Sequence, residues 1–161
     1  MLNPIPSEVD VAVIGAGSAG LPAFRAAREH TDRVILIERG PHGTTCARVG
    51  CMPSKLLIAA AEAAHGMEIA PGFGIHPGSI KIDGEAVMER VRRERDRFVG
   101  FVLDGVDRID PEQKISGQAR FVEDSRLEIG NSQVRAGRVV IASGTSPAIP
   151  DFLKEVRDRV S

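Results

Sequence analysis

Gly15, Gly17 and Gly20 constrain this chain more than any other feature of its sequence. They follow directly on the valine-rich run EVDVAVI at 8–14 and precede a stretch with Ala and Arg at helical spacing, which reads as strand, turn, helix. The spacing predicts a helix from about Ser18 to His30, with Pro22 near the first turn, where a backbone N–H lacks an intrahelical partner anyway. A second apolar run, VILIE at Val34–Glu38, reads as a buried strand. Residues 8–38 therefore form one βαβ unit with parallel strands and a right-handed crossover.

The glycine spacing has a mechanism in that position. Gly15 allows a tight turn, Gly17 lets the backbone approach a pyrophosphate, and Gly20 lets the helix pack close to the strand. The helix N-terminus then faces the phosphates. Glu38 stands at the end of the second strand, where its carboxylate can accept hydrogen bonds from the ribose hydroxyls of an adenine dinucleotide. The motif by itself leaves FAD and NAD open.

Length and composition bound the rest. A chain of 161 residues makes about one domain. Its 42% hydrophobic and 27% charged content is that of a globular protein. With 21 Lys and Arg against 22 Asp and Glu there is no basic field to gather nucleic acid or an acidic membrane, and neither is expected as a partner. The uncharged stretch Val11–Phe24 is shorter than the roughly 18 residues of a membrane span. Met1–Ser7 lacks the pattern of a secretory signal, so the cytoplasm is the expected compartment. The histidines, at 30, 42, 65 and 76, have no partners at metal-ligand spacing, and no metal site is expected.

Further along, Pro53–Ala64 reads as a helix with Leu56, Leu57, Ala60, Ala61 and Ala64 along one side. Residues 66–82, rich in Gly and Pro, read as a surface connection. A longer helix is predicted from about Gly84 to Val106, its alternating Arg and Glu forming a solvated face. From Lys114 the runs ARFV, RLEI and SQV suggest a small antiparallel meander, with Gly130 and Asn131 in a tight hairpin. Arg138–Ser143 reads as a separate buried strand, stopped by Gly144, Thr145, Ser146 and Pro147.

Cys46 and Cys51 are the only cysteines. An ideal helix would hold their Cα atoms about 8.7 Å apart, against roughly 4.4–6.8 Å for a disulfide, so a bridge between them needs a distorted turn. Gly50 and Pro53 make that distortion easy at the head of a helix, and a strained bond of this kind is readily reduced. A helix N-terminus, Arg48 and Lys55 nearby are each expected to lower a cysteine pKa. The other reading is two unbridged thiols.

The segment GTTCARVGCMPSK (Gly43–Lys55), preceded by VAVIGAGSAG and IERG and followed by VVIASGTSPAIP, resembles the FAD domain of the pyridine-nucleotide disulfide oxidoreductases. These are flavoproteins that include dihydrolipoamide dehydrogenase, glutathione reductase and mercuric reductase. The resemblance spans essentially the whole chain. It implies an α/β, Rossmann-like FAD-binding domain with a parallel sheet and a small antiparallel meander, present as the N-terminal part of a larger fold. Cys46 is implied to be the interchange thiol that meets substrate, and Cys51 the thiol against the flavin. Lys55 is implied to reach the flavin. Gly15, Gly17, Ser18, Gly20, Glu38, Arg39, Thr44 and Thr45 would contact the rest of FAD, with Ala119 near the adenine and Ser143 and Gly144 in the late turn. The chain departs from the family pattern at Arg48, where asparagine is common, and at ASGT, where ATGS is usual.

The PSK ending is more similar to dihydrolipoamide dehydrogenase or mercuric reductase than to glutathione reductase, which usually has lysine in place of Ser54; the first is favoured. Electrons would then pass from a dithiol, a lipoyl group, through the Cys46–Cys51 disulfide and FAD to NAD+. No second GxGxxG follows residue 38 and no histidine stands in the HPT-like context of the family's acid–base residue. Residues 1–150 are therefore expected to be the FAD domain and 151–161 the start of a linker to an NAD(P) domain that the chain lacks. The full-length enzyme would be a homodimer, and this fragment alone would not turn over. The rival reading is a non-catalytic FAD-binding module whose cysteines sense redox state.

Overall fold

The computed structural model describes residues 5–146 and 148–153. Six strands form one sheet in the order β3-β2-β1-β6-β5-β4. They are β1 (Glu8–Ile14), β2 (Val34–Glu38), β3 (Lys114–Ser116), β4 (Ala119–Glu123), β5 (Arg126–Ile129) and β6 (Ser132–Ile141). The helices are α1 (Gly20–Arg28), α2 (Thr45–Val49), α3 (Cys51–Ile69) and α4 (Gly84–Asp107). The strand pairs β1–β2, β1–β6 and β2–β3 are parallel, while β4–β5 and β5–β6 are antiparallel.

The βαβ unit forms as its sequence predicts, with Val11 opposite Val34 and Ile14 opposite Ile37. Successive side chains of a strand point to opposite faces. In β2, Ile35 and Ile37 accordingly join a cluster with Val9, Ala12, Ile115, Leu127, Ile129, Val134 and Ala136. Val34 and Leu36 face the other way, against Val13, Leu21, Phe24 and Val106 of β1, α1 and α4. Each such side chain contributes roughly 1.5–3 kcal/mol by leaving water. Helix α1 is shorter than expected at both ends, since Ser18 and Ala19 belong to the turn.

Four other expectations are corrected. The runs SQV and RVVIAS belong to one strand, β6, because Gly137 lets it continue past β1: a Cβ there would stand 3.0 Å from the Asp10 carbonyl oxygen. Its last residue is Ile141, so Ser143 lies in the turn. The meander shares the main sheet through this strand. Strand β3, three residues long, was not legible; it pairs Ile115 with Ile37 at the edge. Helix α3 runs from Cys51 to Ile69, beyond the expected Pro53–Ala64, and a 3₁₀ turn at Ala70–Phe73 shortens the connection. The turn ends at Gly74, whose φ of 79° suits glycine.

Helix α4 forms over the expected span, with the Asp83 carboxylate accepting from the Ala86 N–H at 3.0 Å at its start. Its charges face solvent in pairs such as Arg95–Asp96 and Arg97–Glu94. Helix α3 buries none of its residues, although Leu57, Ile58, Met67 and Ile69 lie on it. Among the described residues no helix is long and apolar enough to cross a membrane. Of the expected linker, Asp151–Leu153 close a short turn, and 154–161 lie outside the described residues, as does Pro147 of the late turn.

Candidate functional site

The glycine turn is built by the ends of three strands. Gly15 N–H donates to the Ile37 carbonyl at 2.8 Å, and Ala142 N–H donates to the Ile14 carbonyl at 2.8 Å. At Gly15, where φ is 105°, a Cβ would stand 2.2 Å from the Ala142 carbonyl oxygen and 3.3 Å from the Ser143 nitrogen. Ser143 is thus brought to the turn, and Gly144 follows it with a φ of 71°. A Cβ at Gly20 would lie 1.7 Å from the Gly15 carbonyl oxygen, so α1 sits directly on the turn. At Gly17 nothing lies within 4 Å, which leaves the backbone open to a ligand.

Helix α1 opens without a capping side chain at Ala19. Of its first amides, Leu21 N–H is taken by the Gly17 carbonyl at 3.1 Å and Pro22 has none, which leaves that of Gly20, and an anion at that end is favoured by the helix dipole. Open space at Gly17 beside an uncapped helix start fits the pyrophosphate of a dinucleotide.

Glu38 does more than its place in the motif indicated. Its Oε2 accepts from Ala16 N–H and its Oε1 from Gly40 N–H, both at 2.8 Å. One side chain therefore fastens the glycine turn to the loop after β2, and each oxygen keeps a lone pair for a ribose hydroxyl. Partial burial pushes its carboxyl pKa up, but hydrogen bonds from the Ala16, Gly40 and Arg39 amides, with the charge of His42, outweigh burial and hold it below the ordinary value. Arg39 acts on this carboxylate through its backbone. Gly117 N–H donates to the Glu38 carbonyl at 2.9 Å, which brings the segment leading to Ala119 to the same end of the sheet. Ala119 itself is half-buried on β4, opposite Ile129.

The loop after β2 delivers the chain to α2. The Thr44 hydroxyl accepts from Ala47 N–H at 3.0 Å and caps this helix, so one lone pair is committed while its proton and second lone pair are available to a ligand. Thr45 is the first residue of α2 and exposed. The chain kinks at Gly50 (φ −125°, ψ −109°) before α3 starts at Cys51. A Cβ on Gly50 would approach the Thr45 carbonyl oxygen to 3.2 Å and the Cys46 Cα to 3.5 Å. This is the distorted turn that the cysteine spacing requires.

Both cysteines are free thiols in this structure. The kink brings the two near enough for Cys51 to act on Cys46. Hydrogen bonding with the Cys51 thiol, desolvation and the nearness of a second ionisable sulfur raise the Cys46 pKa; the Cys51 backbone and the Lys55 charge oppose the rise but do not reverse it. The expected lowering by the Lys55 charge is therefore present at Cys46 but outweighed by its neighbour thiol. Arg48 takes no part, because its side chain turns away. Its Cδ lies beside Gly43 with Val102 and Leu103 of α4, and its Nε is shielded from solvent without a partner. Lys55 is exposed one turn into α3.

His42 was not singled out from the sequence as a ligand residue. Its Nε2 is shielded from solvent and has no hydrogen-bond partner, and the ring acts on the Glu38 carboxylate. Its neighbourhood in sequence gave no signal for this. Among the described residues, no group of three or more His, Cys, Asp or Glu is arranged to hold a metal ion.

Residues 9–160 match the sequence profile of the pyridine nucleotide-disulphide oxidoreductases. The chain is 37% identical over 159 residues to a mercuric reductase of Serratia marcescens, covering 91% of this chain and 34% of that protein. It is 32% identical over 143 residues to a glutathione reductase of Burkholderia cepacia, covering 89% and 32%. It thus spans about a third of the length of these relatives. Among solved structures, the HOCl-induced flavoprotein disulfide reductase RclA from Escherichia coli superposes with a TM-score of 0.67 at 22% identity, over 88% of this chain and 29% of that one. That likeness shows a shared fold.

Proposed function

The chain belongs to the pyridine nucleotide-disulphide oxidoreductases, and from that premise we propose that it binds FAD at the glycine turn and uses Cys46 and Cys51 as a redox pair. The observation that carries this reading is the kink at Gly50, where a Cβ would stand 3.5 Å from the Cys46 Cα and α3 starts at Cys51, so that the two thiols act on one another. Bound flavin supplies two-electron chemistry between the thiol pair and a nicotinamide. The chain's own residues do the rest. Gly17 and the Gly20 amide at the head of α1 receive the pyrophosphate, and Glu38 receives the ribose. Cys46 exchanges with a substrate disulfide or dithiol, Cys51 stands toward the flavin, and Lys55 places a positive charge beside the pair. Oxidation of a substrate dithiol joins its two sulfurs while the Cys46–Cys51 bond breaks, the two electrons and two protons passing to the cysteines.

For the substrate, the PSK ending after Cys51 supports a lipoyl dithiol or mercuric ion over glutathione; the first reading is a lipoyl dithiol, with NAD+ as the final acceptor on an additional domain of a longer homodimeric enzyme. A second reading, mercuric ion as the substrate, is favoured by the name carried by the Serratia relative and five others of similar identity.

The test is an absorbance spectrum of the purified chain with added FAD, then with one equivalent of dithiol under anaerobic conditions, in wild type and Cys51→Ser. The reading expects bound flavin in both and a long-wavelength shoulder in wild type alone. Bound flavin with no shoulder in either leaves a flavin module with idle cysteines. A chain that takes up no flavin refutes the reading.

A further inference from the structure

We propose that His42 is a nucleotide-contacting residue, whose Nε2 pairs with a hydroxyl of the ribose that Glu38 receives. This rests on the dinucleotide reading above and adds a second side chain to the ribose end of that site.

The starting observation is the unpartnered Nε2, shielded from solvent. Buried polar atoms are nearly always paired, and one that is not calls for a partner outside the protein. The ring lies near enough to Glu38 for its charge to act on that carboxylate. Glu38 has already spent one lone pair per oxygen on Ala16 and Gly40, and it has no proton to give. A ribose hydroxyl that donates to Glu38 keeps lone pairs of its own, which need a donor. An imidazole N–H beside the carboxylate is such a donor, so the two side chains complement the two halves of the hydroxyl's hydrogen-bonding capacity.

The loop can present the ring. Pro41 and His42 are bracketed by Gly40 and Gly43, the latter at a φ of 100°. The two glycines give the segment that carries the ring more backbone freedom than other residues would. The other shielded nitrogen without a partner, Arg48 Nε, has no comparable setting, because the Arg48 stem lies with Val102 and Leu103 against Gly43.

The experiment titrates wild type, His42→Leu and His42→Gln with FAD, ADP, 2′-deoxy-ADP and 3′-deoxy-ADP by calorimetry. The imidazole nitrogens of ¹⁵N-labelled wild type are followed by NMR as ADP is added. His42→Leu is expected to weaken FAD and ADP by about three- to tenfold, one hydrogen bond's worth. The loss should vanish on the deoxynucleotide that lacks the contacted hydroxyl, His42→Gln should recover part of it, and ADP should shift the Nε2 resonance. If wild type binds FAD but His42→Leu binds every nucleotide as wild type does, or loses the same factor on all of them, His42 makes no ribose contact and the proposal falls alone. An Nε2 resonance unmoved by saturating ADP overturns it equally. If wild type binds no FAD, the dinucleotide reading fails and takes the proposal with it.

Discussion

Alanine at Gly20 and alanine at Gly17 should have opposite consequences, although the two glycines stand three positions apart in one motif. A Cβ at Gly20 would sit 1.7 Å from the Gly15 carbonyl oxygen, well inside the 3.0 Å that real Cβ atoms respect. The obstacle is backbone, which cannot swing aside as a side chain would. Helix α1 must therefore move more than an ångström from the turn, carrying Leu21 and Phe24, each only 5% exposed, out of register with the sheet. Overpacking of this kind costs roughly 1–3 kcal/mol, and the rigid neighbour places Gly20→Ala near the upper end, about 3 kcal/mol. For a chain of this length that lowers Tm by roughly 6–12 °C. At Gly17 a Cβ meets nothing within 4 Å. Gly17→Ala should leave Tm unchanged or raise it by up to ~4 °C, since alanine has less freedom to lose on folding. Its methyl would stand where a pyrophosphate must approach, so FAD affinity should fall by about tenfold or more. Thermal unfolding without ligand, followed by FAD titration, reads both effects. A Gly17→Ala protein that melts as early as Gly20→Ala, or a Gly20→Ala protein within about 2 °C of wild type, would refute the reasoning.

Replacing Cys51 by alanine removes the hydrogen bond and the second ionisable sulfur that raise Cys46. The pH midpoint for iodoacetamide alkylation of Cys46 should therefore move down in Cys51→Ala; an unchanged midpoint would contradict the account. Glu38 has a folded-state pKa below its ordinary value, so its contribution to stability is present above the ordinary carboxylate pKa and is lost as pH falls through the folded one. Urea unfolding between about pH 5 and pH 3 should accordingly show a smaller loss for Glu38→Gln than for wild type, and parallel losses would count against it. Leu127 of β5, fully buried in the cluster with Ile35 and Val134 on one face of the sheet, should cost about 2–5 kcal/mol when truncated to alanine, seen as a lower urea midpoint.

The parts of the fold that the sequence disclosed are those whose signal is local. The run 8–14, the glycines and VILIE carry their periodicity and turn chemistry within a few residues, and the turn they predict is the turn that forms. Long-range pairing was less visible. Gly137 and Arg138 interrupt the alternation of β6, and only the close passage of Gly137 over Asp10 shows why one strand continues there. At three residues, β3 is too short to show a period. Helix α3 overran its expected end at Ala64 because Met67 and Glu68 carry a helix by propensity past Gly66 even where nothing buries it. At the site, the cysteine spacing foretold a distorted turn, whereas the direction of the Arg48 side chain and the orphaned nitrogen of His42 depend on neighbours far along the chain.

The placement of β6 also fixes when this molecule can become itself. β1 lies inside the sheet, but the partner on one of its edges pairs Glu8 with Arg135, so the chain must be made past Arg135 before that edge closes. The opening βαβ unit can form early from neighbouring residues, while the β1–β6 seam waits on the closure of a long loop. Ala142 and Ser143, which wall the glycine turn, arrive only with that seam. The nucleotide pocket is thus the last part of the sheet to mature during synthesis. Until it does, the growing chain carries an unpaired strand edge, the usual starting point of misassembly.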